Sequence, residues 1–304
     1  MTRRSSRHLS PALAFAVAAA GIGLFSVMDA FMKSLTLAIG VYNALLWRMG
    51  AGSLLGAVAW AAGGGGWPTA RALRLHVARG ALTTAMALLF FWGLARVPMA
   101  QAISLAYIAP LLALVLGAAL LKERVGPRVI VASLTALVGV GVILAGQSRG
   151  AAGPDALAGA VAILASAVLY AFNLIVARLQ SQAARPGEIA FVQSAIVTLI
   201  LLVAAPWLAH WPPAAEWPKI AVAAALATAS LFLLAWAYAH GEAGYLATTE
   251  YTSFVYAAGL GWLVFGERVA TATLLLGAAL IGAAVIAQLV LSKAQPAVAE
   301  PGAE

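Results

Sequence analysis

The chain of 304 residues contains no cysteine. It therefore has no disulfide, thiolate nucleophile or thiolate metal site, although a missing disulfide says little about compartment. Charge is also scarce: 9% of residues are Asp, Glu, Lys or Arg, and only ten are acidic. The four histidines, His8, His76, His210 and His240, lie far apart, and no HExxH or paired-carboxylate spacing occurs. Metal centres and soluble acid–base catalysis thus lack their usual signatures, and no cofactor is expected. The glycine run 63–66 is not followed by Gly-Lys-Ser/Thr and reads as a flexible linker. ATP-driven action would need a partner chain.

Apolar residues fill the space that charge leaves. A hydrophobic fraction of 63% and a mean hydropathy of +0.97 exceed what a soluble surface tolerates. Runs long enough to cross a roughly 30 Å hydrocarbon core as helices recur between charged or Pro/Gly-marked breaks. Ten are expected, over 11–32, 41–61, 76–95, 99–121, 127–146, 156–177, 189–209, 219–239, 243–265 and 271–291. They lack polar/apolar alternation, and lipid demands that backbone groups be satisfied within the segment, so the fold class is all-α integral membrane. Arg3, Arg4 and Arg7 before an apolar run resemble a secretory signal, but the run extends to Met28 and reads better as the first span.

The sequence repeats itself. Residues 76–140 and 220–284 superimpose at a constant offset of 144, pairing Trp92 with Trp236, Tyr107 with Tyr251 and Glu123-Arg124 with Glu267-Arg268. The same offset pairs Asp29 with Asn173. The expected organisation is a tail (1–10), a five-helix repeat (11–146), a linker (147–155), a second five-helix repeat (156–292) and a C-terminal tail (293–304). With the N-terminus cytoplasmic, twelve of the eighteen Lys and Arg residues fall on the inner side and five on the outer, with Arg48 inside a span. Both termini are then cytoplasmic in an inner or plasma membrane. An odd number of spans per repeat inverts one half against the other, as in many secondary transporters. The net charge of +8 is read as topology, and no nucleic-acid partner is expected.

The ten spans, the duplicated half and the Glu-Arg dipeptide closing the fourth span of each half resemble the drug/metabolite transporter superfamily, EamA type. So does the stretch from Gly93 through Pro98, Ala100 and Pro110 to Glu123. The resemblance covers 11–291. It implies a central cavity lined mainly by the first four helices of each half, and a small organic solute as cargo, often moved outward and coupled to protons or exchange.

The residues independently suggest where such a cavity lies. Gln101, Ser104 and Tyr107 recur at steps of three, as do their mates Tyr245, Thr248 and Tyr251, placing a polar stripe on one helix face. Small hydroxyls also cement helix contacts in lipid, whereas Gln101, Tyr107 and Tyr251 are read as cavity-lining. Charges inside a span cost roughly 2.5 to 3.5 kcal/mol each and need a role. Asp29 and Lys33, four apart on one face, can pair with each other, and Arg48 lies at similar depth. These three are the candidates for coupling or gating, with a fixed ion pair or a snorkelling Lys33 as the structural alternative. Glu250, whose mate is Ala106, is expected to bind substrate or a proton, with a buried structural partner as the alternative. Trp92 and Trp236 are candidate stacking platforms or belt residues, and Asn173 contacts substrate or another helix. Glu267-Arg268 reads as a helix-end ion pair and anchor, or as a gate.

The resulting expectation is a secondary transporter for a small-molecule substrate in the lipid bilayer, with proton coupling as one mode. A lipid or isoprenoid enzyme and a lipid flippase are the alternatives. A homodimer is one compatible oligomeric state.

Overall fold

The computed structural model describes residues 11–109, 112–113, 116, 155–240, 246, 249–250 and 252–267. Among them the regular structure is helical throughout: α1 (Pro11–Ala62), α2 (Ala70–Leu94), α3 (Met99–Ala106), α4 (Ala156–Ser181), α5 (Pro186–Leu208), α6 (Trp217–His240) and α7 (Thr252–Phe265), with a short 3-10 turn at Ala214–Glu216. Five of these helices are long and apolar enough to cross a membrane. The spans expected over 127–146 and 271–291, most of the linker and both tails lie outside the described residues.

α1 merges the first two expected spans into 52 residues broken only at Gly40 (φ 78°, ψ 154°). A straight helix of that length would be about 78 Å long, so the break is what folds it into two membrane-length arms. Only glycine takes that left-handed φ cheaply. The first arm continues beyond the expected end at Met32, because Lys33 is neutralised inside the protein and nothing before Gly40 breaks a helix. α2 also starts earlier than expected, at Ala70, where the Thr69 hydroxyl accepts from the Ala72 amide at 3.2 Å as an N-cap. Arg79, one of the twelve cations assigned to the inner side, consequently lies about 14 Å inside the helix.

The helices of the polar stripe are interrupted. α3 reaches its C-cap at Tyr107 (φ −62°, ψ −10°), and Thr249 and Glu250 form a 3-10 turn before α7 begins. The first interruption falls at Tyr107, whose repeat mate Tyr251 lies outside the described residues.

α1 packs mainly against α6 and α5, and α2 against α4. The offset of 144 carries the α1–α6 pair onto α4–α2. Glycines set the closest approaches: a Cβ at Gly93 would lie 2.5 Å from the Gly159 carbonyl, and one at Gly56 would lie 2.9 Å from Phe191 Cα. Gly93→Val should therefore cost about 1–3 kcal/mol through overpacking and lower the melting temperature in detergent; an unchanged melt would mean that α2 and α4 are not in contact there. Met28, Met32, Leu35, Leu45, Leu94 and Leu105 build the core. Leu54 and Val203 are more than 70% exposed, as expected of side chains that face lipid. Trp47, Trp211 and Trp217 cluster edge to face, while Trp60, Trp67 and Phe191 form a second aromatic group, a pattern suited to membrane interfaces.

Candidate functional site

Three polar assemblies lie along the bundle. The first is near Gly40. α7 ends at Gly266 (φ 63°), whose amide donates to Trp262 O at 3.1 Å in an αL cap, while the Glu267 amide donates to Gly261 O at 3.0 Å. This cap folds the Glu267 carboxylate back over α7, where any Cβ at Gly261 would collide with Oε2. Oε1 receives Lys33 Nζ, and Oε2 receives the Met99 amide at 2.8 Å. Lys33 also donates to Val97 O at 2.7 Å and lies 5.2 Å from the Phe265 ring centroid. Pro98 supplies no side-chain cap to α3, so Glu267, from the other half of the chain, satisfies the first amide of that helix.

Lys33 is thus neither paired with Asp29 nor snorkelling: it is 4% exposed and bound to Glu267. Asp29 and Arg48 are buried within electrostatic reach of each other, but no hydrogen bond or ion pair joins them. Among the described residues Asp29 Oδ1 and Arg48 Nε have no partner, and Arg48 makes a single 3.4 Å contact, with Met49 sulfur.

The second assembly lies at the interrupted helices. The Tyr107 hydroxyl bonds Ser253 Oγ at 2.7 Å and donates to Glu250 O at 3.3 Å, and Ser253 Oγ donates to the same carbonyl at 2.5 Å. Tyr107 therefore meets Glu250 through the backbone. The Glu250 carboxylate has no hydrogen-bond partner among the described residues. It lies within electrostatic reach of Tyr170 and Tyr238. All three side chains are solvent-accessible. Gln101 is buried in α3, and Ser104 spends its hydroxyl on Ala100 O at 2.8 Å, the local helix bond.

The third assembly joins α2, α4 and α5. Arg79 donates through Nε to Asn173 Oδ1 at 3.3 Å and through Nη1 to Gln180 Oε1. Gln180 Nε2 meets His76 Nδ1 at 2.6 Å, and His76 Nε2 meets Glu188 Oε1 at 3.0 Å. Asn173 also accepts from Thr83, which in turn accepts from Gln193. Asn173 therefore serves helix–helix bonding, and it does so by holding an arginine.

The aromatic candidates are drawn apart. Arg96 stacks 3.5 Å from the Trp92 ring and donates to its carbonyl, while Trp236 stacks on His240 at 4.4 Å, with His240 Nδ1 2.7 Å from the Trp236 carbonyl. One pair is the repeat mate of the other, and each lies at the C-terminal end of its helix. Trp92 lines an end cleft of about 490 Å³ with Thr36, Gly40, Arg96 and Asp155.

Sequence reasoning missed Tyr170 and Tyr238 as neighbours of Glu250, and Arg79 as the centre of the third assembly. Thr69 as an N-cap would have placed Arg79 inside the helix. Nothing comparable marks Tyr170, whose mate is Ser26.

Among known proteins, the model of the EamA-like transporter family matches this chain twice, over residues 10–145 and 157–289. The pseudopaline exporter CntI of Pseudomonas aeruginosa, in strains UCBPP-PA14 and PAO1, is 27% identical over 258 residues, covering 84% of this chain and 88% of its own. A crystal structure 23% identical in sequence superimposes with a TM-score of 0.63, covering 95% of this chain and all of the other. With two family matches that together span most of its length, the chain belongs to the EamA-like transporter family.

Proposed function

We propose that the protein is a secondary transporter that moves a small organic solute across the inner or plasma membrane by alternating access. The reading takes the bundle as ten spans in two inverted repeats, 11–146 and 156–292, with a linker at 147–155, tails at 1–10 and 293–304, and both termini cytoplasmic. Lys33, Glu267 and Met99 then lie at the outer end and His76 and Glu188 at the inner end. Moving Lys33 and Arg79 out of the loop tally leaves the cationic bias pointing the same way.

The observation that carries this reading is the Lys33–Glu267 contact. A buried ion pair joins residues from both halves of the chain at one end of the bundle, directly beyond the interrupted helices that carry Tyr107 and Glu250. Such an arrangement suits a closure that shuts one mouth of a central site. Gln101, Tyr107, Glu250, Tyr251 and Asn173 are assigned to that site or its support, and Asp29 and Arg48 to control of charge near the outer mouth. The exporter relative favours outward movement, and proton coupling through an intramembrane carboxylate is part of the proposal.

Proteoliposomes holding the purified chain should accumulate or release solutes from a broad metabolite panel under an imposed pH or solute gradient. Failure of every solute under every gradient overturns the reading.

A further inference from the structure

The first turns of α2 carry charge of the unfavourable sign. Arg71 and Arg74, three apart on one face, stand at the positive end of the helix dipole and repel each other. The first turn holds no acidic residue, and none occurs in the sequence between Asp29 and Glu123. Both arginines are exposed, and neither has a hydrogen bond or ion pair among the described residues. Glu188, in the first turn of α5, is committed to His76.

The shared fold does not require these cations. The offset of 144 carries Arg71 and Arg74 onto Ala215 and Pro218 at the start of α6, where Glu216 pairs with Lys219 at 3.0 Å. One copy balances its helix start within the chain, and the other leaves two positive charges uncompensated among the described residues.

These arginines also stand in a cleft. With Ala70, Leu75 and Leu179 they line about 430 Å³ between the start of α2 and the end of α4. Two features mark its depth in the membrane. Trp67, two residues before the Thr69 cap, is 89% exposed and stands 6.4 Å from Trp60, in the aromatic group suited to an interface. Leu73 and Val77, beside the cleft on α2, are apolar and exposed, as lipid-facing side chains are. The cleft therefore sits where headgroups give way to acyl chains.

We propose that this cleft binds an anionic phospholipid, its phosphate held between Arg71 and Arg74 and its acyl chains lying along Leu73 and Val77. Guanidinium forks match phosphate oxygens, and basic pockets between membrane helices take such headgroups. An anion there cancels the repulsion between the arginines and meets the first-turn amides that a helix leaves unpaired. In the proposed orientation the lipid belongs to the cytoplasmic leaflet. The inference goes beyond the transport reading and does not depend on it.

The test is native mass spectrometry of the full purified chain in detergent, titrated with phosphatidylglycerol or with phosphatidylcholine of the same acyl chains. The first phosphatidylglycerol should bind roughly 10- to 30-fold more tightly than the first phosphatidylcholine, the combined value of two arginines near an anionic surface. High salt should erode that preference in the parent chain. The double variant Arg71→Gln, Arg74→Gln should lose it. Arg185→Gln, which removes an exposed cation from the same end but outside the cleft, should keep it. Equal binding of the two lipids, a preference that survives the double variant, or one lost equally in Arg185→Gln would overturn the proposal. So would displacement of the lipid by inorganic phosphate or glycerol 3-phosphate, which would make the cleft a site for free phosphate. A chain that moves solute but shows no lipid preference loses this inference and keeps the transport reading; lipid preference without flux does the reverse.

Discussion

A Glu267→Ala protein is expected to melt well below the parent, with a loss of about 3–5 kcal/mol, the usual consequence of removing one partner from a buried ion pair. Lys33 is 4% exposed and would keep only the Val97 carbonyl, while the Met99 amide would lose its acceptor. The double variant Lys33→Met, Glu267→Gln removes both charges while keeping a donor and an acceptor beside Met99, and should recover most of the loss. Melting the parent, Lys33→Met, Glu267→Gln and their double variant in detergent measures the coupling. A double variant as damaged as Glu267→Ala would show that the two side chains do not act as a pair. The absence of native cysteine adds a functional readout. A Ser104→Cys probe, one turn inside the capped end of α3, should react faster with an external thiol reagent once the pair is removed. An unchanged rate would separate the ion pair from any closing role.

Glu250→Gln should have the opposite character, with a large effect on transport and a small one on folding. Its carboxylate bonds to no described residue, so the amide replaces nothing that the scaffold uses. Flux through proteoliposomes should fall roughly 10- to 100-fold, as expected for a lost charge-assisted contact with solute. The melting temperature should stay close to that of the parent. Tyr107→Phe is the contrasting control, because its hydroxyl links Ser253 and the Glu250 carbonyl across the two halves. It should cost about 1 kcal/mol of stability. If Glu250→Gln unfolds the protein while leaving the flux of surviving molecules intact, the carboxylate is structural and the central-site assignment fails.

Much of the scaffold could be read from composition and from the offset of 144. Membrane helices, the two family-like halves and the polar stripe that meets Glu250 all follow from local patterns of about 20 residues. The misplaced features have a common cause. Lys33 was expected beside Asp29 because they are near in sequence, whereas its partner Glu267 lies 234 residues away in the other repeat. A repeat alignment pairs positions that are alike and says nothing of positions that touch. Glu267 was legible as a helix-end residue, and Gly266 as its cap, but its reach to α3 depends on how the halves dock. Arg79 was legible in principle from Thr69, while Tyr170 joins the site only through tertiary packing.

The two equivalent helix interfaces differ in how they resist sliding. Along α2–α4, His76, Gln180, Arg79 and Asn173 are linked in sequence, and displacing one helix along the other means breaking several bonds inside the protein. At the corresponding positions of α1–α6 stand Ile220, Thr36, Ala223 and Asp29. Thr36 Oγ1, Asp29 Oδ1 and Ser230 Oγ on that pair are unbonded among the described residues. Helices joined only by packing can shift by rotamer changes, without a bond to break first. Among the described residues, one copy of this interface is thus held by linked side-chain hydrogen bonds and the other by packing.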